Sequence, residues 1–233
     1  MATRRALFFS LLWLAAVVLF VGLGVWQVER RTWKLDLIAR VDARLHAAPV
    51  AAPGPDAWPR INAKHNEYER VVAQGHFLHD KETPVLAVTA LGRGYWIMTP
   101  LITERGFTVL VNRGFVPSNR KDPATRMAGE VSGTVTVRGL VRMSEPHGAF
   151  LHKNIPQVGR WYSRDVAAIA QVQGLDEVAP YFIDADGTPN PGGLPVGGLT
   201  VVRFRNSHLV YALTWFGMAL LCGLMLAKAW RDR

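Results

Sequence analysis

Cysteine is almost missing from this chain. Its one example, Cys222, lies inside an apolar run. That excludes an internal disulfide, a CxxC redox pair, a thiolate zinc site, a CxxCH haem attachment and a copper carrier built on paired thiolates. Signatures of catalysis are missing too. There is no GxSxG elbow, no HExxH helix and no Gly-rich loop ending in Lys-Ser/Thr, and the Pro-Gly loop Thr188–Gly198 lacks the GxGxxG spacing. Six of the histidines (46, 65, 76, 79, 147 and 152) are dispersed; only His76 and His79 are near neighbours, and a strand or turn would not make a metal site of that pair without distant help. Met127 and Met143 are too isolated to relay copper. An enzyme is not indicated. Acidic residues are also scarce, 18 against 27 Lys and Arg, giving a net charge of +9. The basic residues are scattered among acids rather than gathered in a stripe, which fits anionic lipid headgroups and gives no nucleic-acid surface.

Charge is absent altogether from two stretches, Ala6–Val25 (ALFFSLLWLAAVVLFVGLGV) and Leu209–Ala227 (LVYALTWFGMALLCGLMLA). About 20 residues of helix rise ~30 Å, the thickness of a bilayer's hydrocarbon core. Two crossings leave both ends on one side. Arg4 and Arg5 at one end and Lys228, Arg231 and Arg233 at the other put that side in the cytoplasm or a matrix and the domain in a periplasm or intermembrane space, although Arg30, Arg31 and Lys34 count against it. The first run is longer than a signal-peptide core, and the bulky Val25-Trp26-Gln27 is a poor cleavage site, so it is expected to stay. No transit peptide is visible ahead of it. The expected address is a bacterial inner membrane, with a multi-pass chain whose main domain faces the periplasm.

The expected order is a tail at 1–5, a transmembrane helix at 6–25, an amphipathic juxtamembrane extension at 26–48, an extramembrane domain at 49–208, a second transmembrane helix at 209–227 and a tail at 228–233. Trp33, Leu37, Val41 and Leu45 recur every four residues, so the first helix should continue until Pro49 opens the turn-rich APVAAPGP. Strands are predicted at 68–77, 84–90, 95–101, 107–116, 134–143, 180–184 and 199–204 from their β-branched and aromatic content. Gly92-Arg93-Gly94 and Glu104-Arg105-Gly106 suggest hairpins. One helix, SRDVAAIAQVQ, should be capped by Ser163 and stopped by Gly174. Asn112-Arg113-Gly114 falls inside a strand; Gly114 there implies a bulge or close backbone approach, and Arg113 a carboxylate partner such as Asp184 or Asp186. The fold class is a membrane protein with two transmembrane helices flanking an α+β extramembrane domain rich in antiparallel strands, a closed or partly closed barrel being one arrangement.

Four segments in order resemble one family: Gly24–Lys34 (GVWQVERRTWK), Val111–Pro117 (VNRGFVP), Asp184–Gly193 (DADGTPNPGG) and Asn206–Phe216 (NSHLVYALTWF). Together they resemble the surfeit-locus family of cytochrome c oxidase assembly factors, to which the yeast Shy homologue belongs. Phe115 stands where that family more often has Trp, and Ser207 where Asn is common. The resemblance implies a membrane-anchored protein that binds haem a transiently and helps insert it into the catalytic subunit of a haem-copper oxidase, with haem a synthase as a further partner. It also makes His208, at the start of the second apolar run, the candidate ligand of the haem iron.

The residues around His208 admit two readings each. An imidazole at an apolar–polar boundary suits an axial ligand, and equally an interfacial histidine that solvates a helix start. Tyr211 and Trp215, at i+3 and i+7, are expected on its helical face. Arg203 and Arg205, on one face if this stretch is a strand, could hold haem propionates or lipid phosphates. Trp26, Gln27, Arg30 and Trp33 form the exit of the first helix, where Trp26, Arg30 and Trp33 make an aromatic–cationic stripe suited to a flat ligand or to fixing helix depth at the interface. The rival function is a membrane adaptor that stabilises an oxidase assembly intermediate without touching haem; a lipid-binding β-domain is more remote.

Overall fold

The helix that begins with the first apolar run does not end with it. In the computed structural model, which describes residues 2–149 and 152–231, with the side chains of residues 2–6 outside that description, α1 runs unbroken over Ala2–His46. The side chains of Arg4 and Arg5, and Arg233 as a whole, therefore lie outside the described residues. The elements that follow are β1 (Val50–Ala51), α2 (Ala63–Asn66), β2 (Arg70–Phe77), β3 (Thr83–Thr89), β4 (Gly92–Thr103), β5 (Thr108–Pro117), β6 (Val135–Met143), α3 (Val166–Val172), β7 (Val178–Ala185) and α4 (His208–Arg231). They divide into two units, one of residues 1–42 and 202–233, the other of residues 43–201.

The first unit holds α4 and most of α1, both long and apolar enough to cross a membrane. Small residues let them pack. Gly24 sits so close to Phe216 that an added Cβ would come within 2.5 Å of the ring. Phe20 stacks on Trp215 with ring centroids 5.7 Å apart. On α4, Ala212, Ala219 and Cys222 are buried. Close approach through small side chains is how helices associate in lipid, where no hydrophobic force drives them together.

In the second unit five strands close a ring. β2 pairs with β6, β6 with β7, β7 with β5, β5 with β4, and β4 returns to β2. All these pairings are antiparallel except β5–β7. β4 reaches both neighbours because it is long: residues 92–98 pair with β3, residues 101–103 with β2, and a register shift lies between Trp96 and Met98. The seam is tight, since a Cβ on Gly75 would lie 2.0 Å from the Ile102 carbonyl oxygen. Val71, Ala73, Leu101, Phe107, Val109, Val111, Val137, Val141, Tyr181 and Ile183 form the core cluster inside the ring. The alternate residues Leu110 and Phe182 point the other way, joining Val85, Met98 and Trp161 under Val166 and Ile169 of α3.

Several expectations need correction. Leu199–Phe204 is irregular rather than strand, because β7 is already flanked by β5 and β6. Ser163 does not cap α3; Asp165 does, its Oδ1 accepting from Ala168 N–H at 3.2 Å. Gly174 does end the helix region, with φ +58° and Leu175 N–H donating to the Ala170 carbonyl at 3.0 Å. The Pro-rich stretch after α1 contributes β1, parallel to the start of β2.

Candidate functional site

His208 is the first residue of α4 and is half-buried. Its Nδ1 lies 2.7 Å from Oε1 of Gln27 on α1, within hydrogen-bond distance. Gln27 is only 9% exposed. The sequence explains the meeting. Phe20, Gly24 and Gln27 recur at helical spacing on one face of α1, and His208, Trp215 and Phe216 answer them on α4. The imidazole is thus tied to one ring nitrogen's partner at the head of a closely packed helix pair. Two residues earlier, Asn206 Oδ1 is buried with no hydrogen-bond partner.

The other predicted residues are less gathered. Trp215 joins the stripe facing α1 through its stack on Phe20. Tyr211, at 54% exposed, does not. Arg203 and Arg205 are exposed and belong to the irregular stretch before α4, so the strand alternation expected to align them is absent; Arg205 Nε donates to Ser207 Oγ at 3.3 Å. Trp26 is 53% exposed. The Arg30 guanidinium lies 4.0 Å over the Trp33 ring, so that part of the stripe is already engaged with itself. Sequence reasoning named Gln27 as part of the exit of helix one but did not pair it with His208. The available signal was the one amide side chain of α1, two residues past the apolar run, which needs a polar partner once it is buried.

In the second unit the other polar constellations are structural. Asp184, 2% exposed, accepts from Asn112 Nδ2 (2.8 Å), Arg142 Nη1 (2.8 Å), Arg164 Nη1 (3.1 Å) and Thr200 Oγ1 (2.9 Å). Arg142 also binds Glu67 at 2.7 Å, and Arg164 binds Glu145. Burial alone would raise the Glu145 carboxyl, but hydrogen bonds and charge from Arg164 hold it below the usual range. Arg113 departs from expectation. Its guanidinium reaches neither Asp184 nor Asp186 but donates to the Gly129 carbonyl and to Asn190 Oδ1, and lies 4.8 Å from the Phe77 ring. Burial, ahead of any neighbouring charge, lowers it to about 10. Gly114 makes the close approach its position implies, with φ +129° and a built Cβ 2.2 Å from the Val196 carbonyl oxygen. Through that contact the Pro-Gly loop is held on β5, with paired backbone bonds of 2.9 Å between Phe115 and Val196.

His79 has both ring nitrogens engaged, Nε2 donating to the Val131 carbonyl at 3.0 Å and Nδ1 accepting from Arg113 at 3.4 Å. Among the described residues no group of three or more His, Cys, Asp or Glu side chains could hold a metal ion. The donor chemistry at His208 is different. A single imidazole nitrogen at the edge of an aromatic, apolar helix pair, with guanidinium groups nearby in the chain, fits axial ligation of a haem iron.

The model of the SURF1 family matches residues 14–220. Surfeit locus protein 1 of Mus musculus is 41% identical over 213 residues, covering 84% of this chain and 67% of that protein. The Homo sapiens protein of the same name is 38% identical over 215 residues, covering 85% and 69%. A SURF1-like protein of Caenorhabditis elegans is 35% identical over 238 residues, covering 93% and 72%. The segments that carried the resemblance fall within the match, and the chain belongs to the SURF1 family, whose members are known as cytochrome c oxidase assembly factors.

Proposed function

We propose that this protein is a non-catalytic carrier that receives haem a, shelters it and delivers it to the catalytic subunit of a haem-copper oxidase, with haem a synthase as the donor. The haem is cargo, and what it supplies when bound is an iron with an open axial position. His208 would fill that position. The observation that carries the reading is the half-buried imidazole at the head of α4, held from behind by α1. Exposed Arg203 and Arg205 are available for propionates, and the exposed rings of Trp26 and Tyr211 for the macrocycle. One tunable axial ligand gives the moderate affinity a carrier needs, since cargo must also leave. Membrane anchoring through α1 and α4 keeps the site at the bilayer boundary, where the apolar tail of haem a is soluble. The proposed setting is a bacterial inner membrane with the β-domain on the periplasmic side, opposite the basic tails.

The test is optical. Wild-type and His208→Ala protein, purified from membranes that make haem a, are compared by reduced-minus-oxidised spectra at matched concentration. A haem a band present in the wild type and lost in the variant is expected. No band in either would leave the adaptor that stabilises an oxidase intermediate; equal bands would discard His208 as the ligand. In cells, His208→Ala should deplete oxidase haem while leaving the oxidase subunit in place, whereas an adaptor defect would remove the subunit.

A further inference from the structure

Neutral imidazole has one proton and two nitrogens, and whichever nitrogen keeps the proton cannot bind a metal. The partner of the protonated nitrogen therefore decides which nitrogen is available. At His208 that partner is visible: Oε1 of Gln27, 2.7 Å from Nδ1. An amide oxygen only accepts, so with Oε1 facing the ring a neutral imidazole carries its proton on Nδ1 and its lone pair on Nε2.

We propose that Gln27 is a positioning residue for His208: it fixes the Nδ1-protonated tautomer, holds the ring plane, and leaves Nε2 as the nitrogen that meets iron. This rests on the haem-carrier reading above. Three features of the helix pair support the assignment. Gln27 is nine-tenths buried, so its amide oxygen has little water to turn to and the contact with His208 satisfies it. Gly24, one turn earlier, admits the Phe216 ring against the α1 backbone, which brings the helices near enough for a direct bond. The Phe20–Trp215 stack, two turns earlier, fixes the rotation of the same face. Ligand and positioning residue thus come from opposite ends of the chain, and neither α1 nor α4 alone would present an oriented ligand. In this arrangement the hydrogen bond also draws electron density toward Nε2, making it a better donor to iron.

The experiment begins without haem. Full-length protein labelled with 15N-histidine is placed in lipid nanodiscs, and the His208 signals are identified by their loss in His208→Ala. The wild type is expected to show protonated Nδ1 and unprotonated Nε2. In Gln27→Leu the tautomer should shift toward protonated Nε2. The same proteins are then titrated with haem a and followed by optical spectra. Gln27→Leu should bind ~10–100-fold more weakly, the usual cost of losing a metal ligand's hydrogen-bond partner. Gln27→Glu, which keeps an acceptor and adds charge, should retain binding and lower the midpoint potential of the bound haem. A wild-type His208 protonated on Nε2 would overturn the proposal, as would Gln27→Leu binding haem like the wild type. If Gln27→Leu fails to accumulate, an unchanged potential in Gln27→Glu would overturn it equally. Should His208→Ala bind haem as well as the wild type, the carrier site itself is misplaced, and the haem-free tautomer measurement still decides whether Gln27 orients His208.

Discussion

Two buried charges in the β-domain behave differently because of who surrounds them. Asp184 has two guanidinium groups, an amide and a hydroxyl donating to it, so its charge is compensated at short range. Arg113 has carbonyl oxygens and an aromatic face instead of a bonded carboxylate, and its Nε has no partner. Its lowering to about 10 follows from burial, and the sign matters. Its cost to folding is full at neutral pH and is relieved only as pH rises through that value. Glu145 acts oppositely. With its folded-state pKa depressed by Arg164, it contributes stability above its ordinary value of 4.5 and loses that contribution as pH falls through the depressed one. Arg164→Leu should therefore be less stable at pH 7 and lose less further stability between pH 5 and 3 than the wild type, as read by thermal unfolding across that range. Residue-level reading of the sequence succeeded at Gly114, where a glycine inside a strand signals a close backbone. It failed at Arg113, because a buried guanidinium can be satisfied by carbonyls that no charge pattern reveals.

At the level of elements, local signals gave positions well and partners poorly. The long first helix, the β3–β4–β5 hairpins and the position of α3 follow from periodicity and turn residues that lie within a few positions of one another. The cap of α3 did not, because Ser163 and Asp165 are both good capping residues. Ser163 is occupied elsewhere, its hydroxyl donating to the Glu145 carbonyl at 2.7 Å while accepting from Gly148 N–H and Asn154 Nδ2. Asp165→Ala should accordingly cost about 1 kcal/mol, measured as a loss in thermal or denaturant stability. The run LTVVRF has strand composition but no strand, which shows that β-propensity describes a surface looking for a neighbour rather than a conformation in itself. Similarly, Gln27 and His208 are 181 positions apart, and only the packing of α1 on α4 brings them together.

For the molecule as a whole, closure of the ring is the organising event. It depends on a short seam, three residue pairs between β2 and β4, and on the backbone approach permitted by Gly75. Gly75→Val should strain that seam by about 3 kcal/mol, and amide exchange in β2 and β4 near it should speed up ~100-fold relative to the rest of the ring. The class of domain was legible in the number and spacing of strands, and two membrane-length helices in the charge-free runs. The circular pairing order was not, because β5–β7 is a parallel contact across β6 and α3, and sequence patterns carry no record of which distant strands adjoin.

That pairing order has a consequence for how the protein is made. β7 is the last strand to leave the ribosome, yet in the finished ring it lies between β5 and β6. Until residues 178–185 emerge, β5 and β6 each present an unpaired edge, the kind of surface that recruits other nascent chains. The donors around Asp184 wait on the same event, with Thr200 arriving later still. The domain thus completes in one late step, shortly before the second apolar run is translated. Truncation, slow translation or early release within that interval would therefore yield an open, adhesive sheet rather than a smaller stable domain.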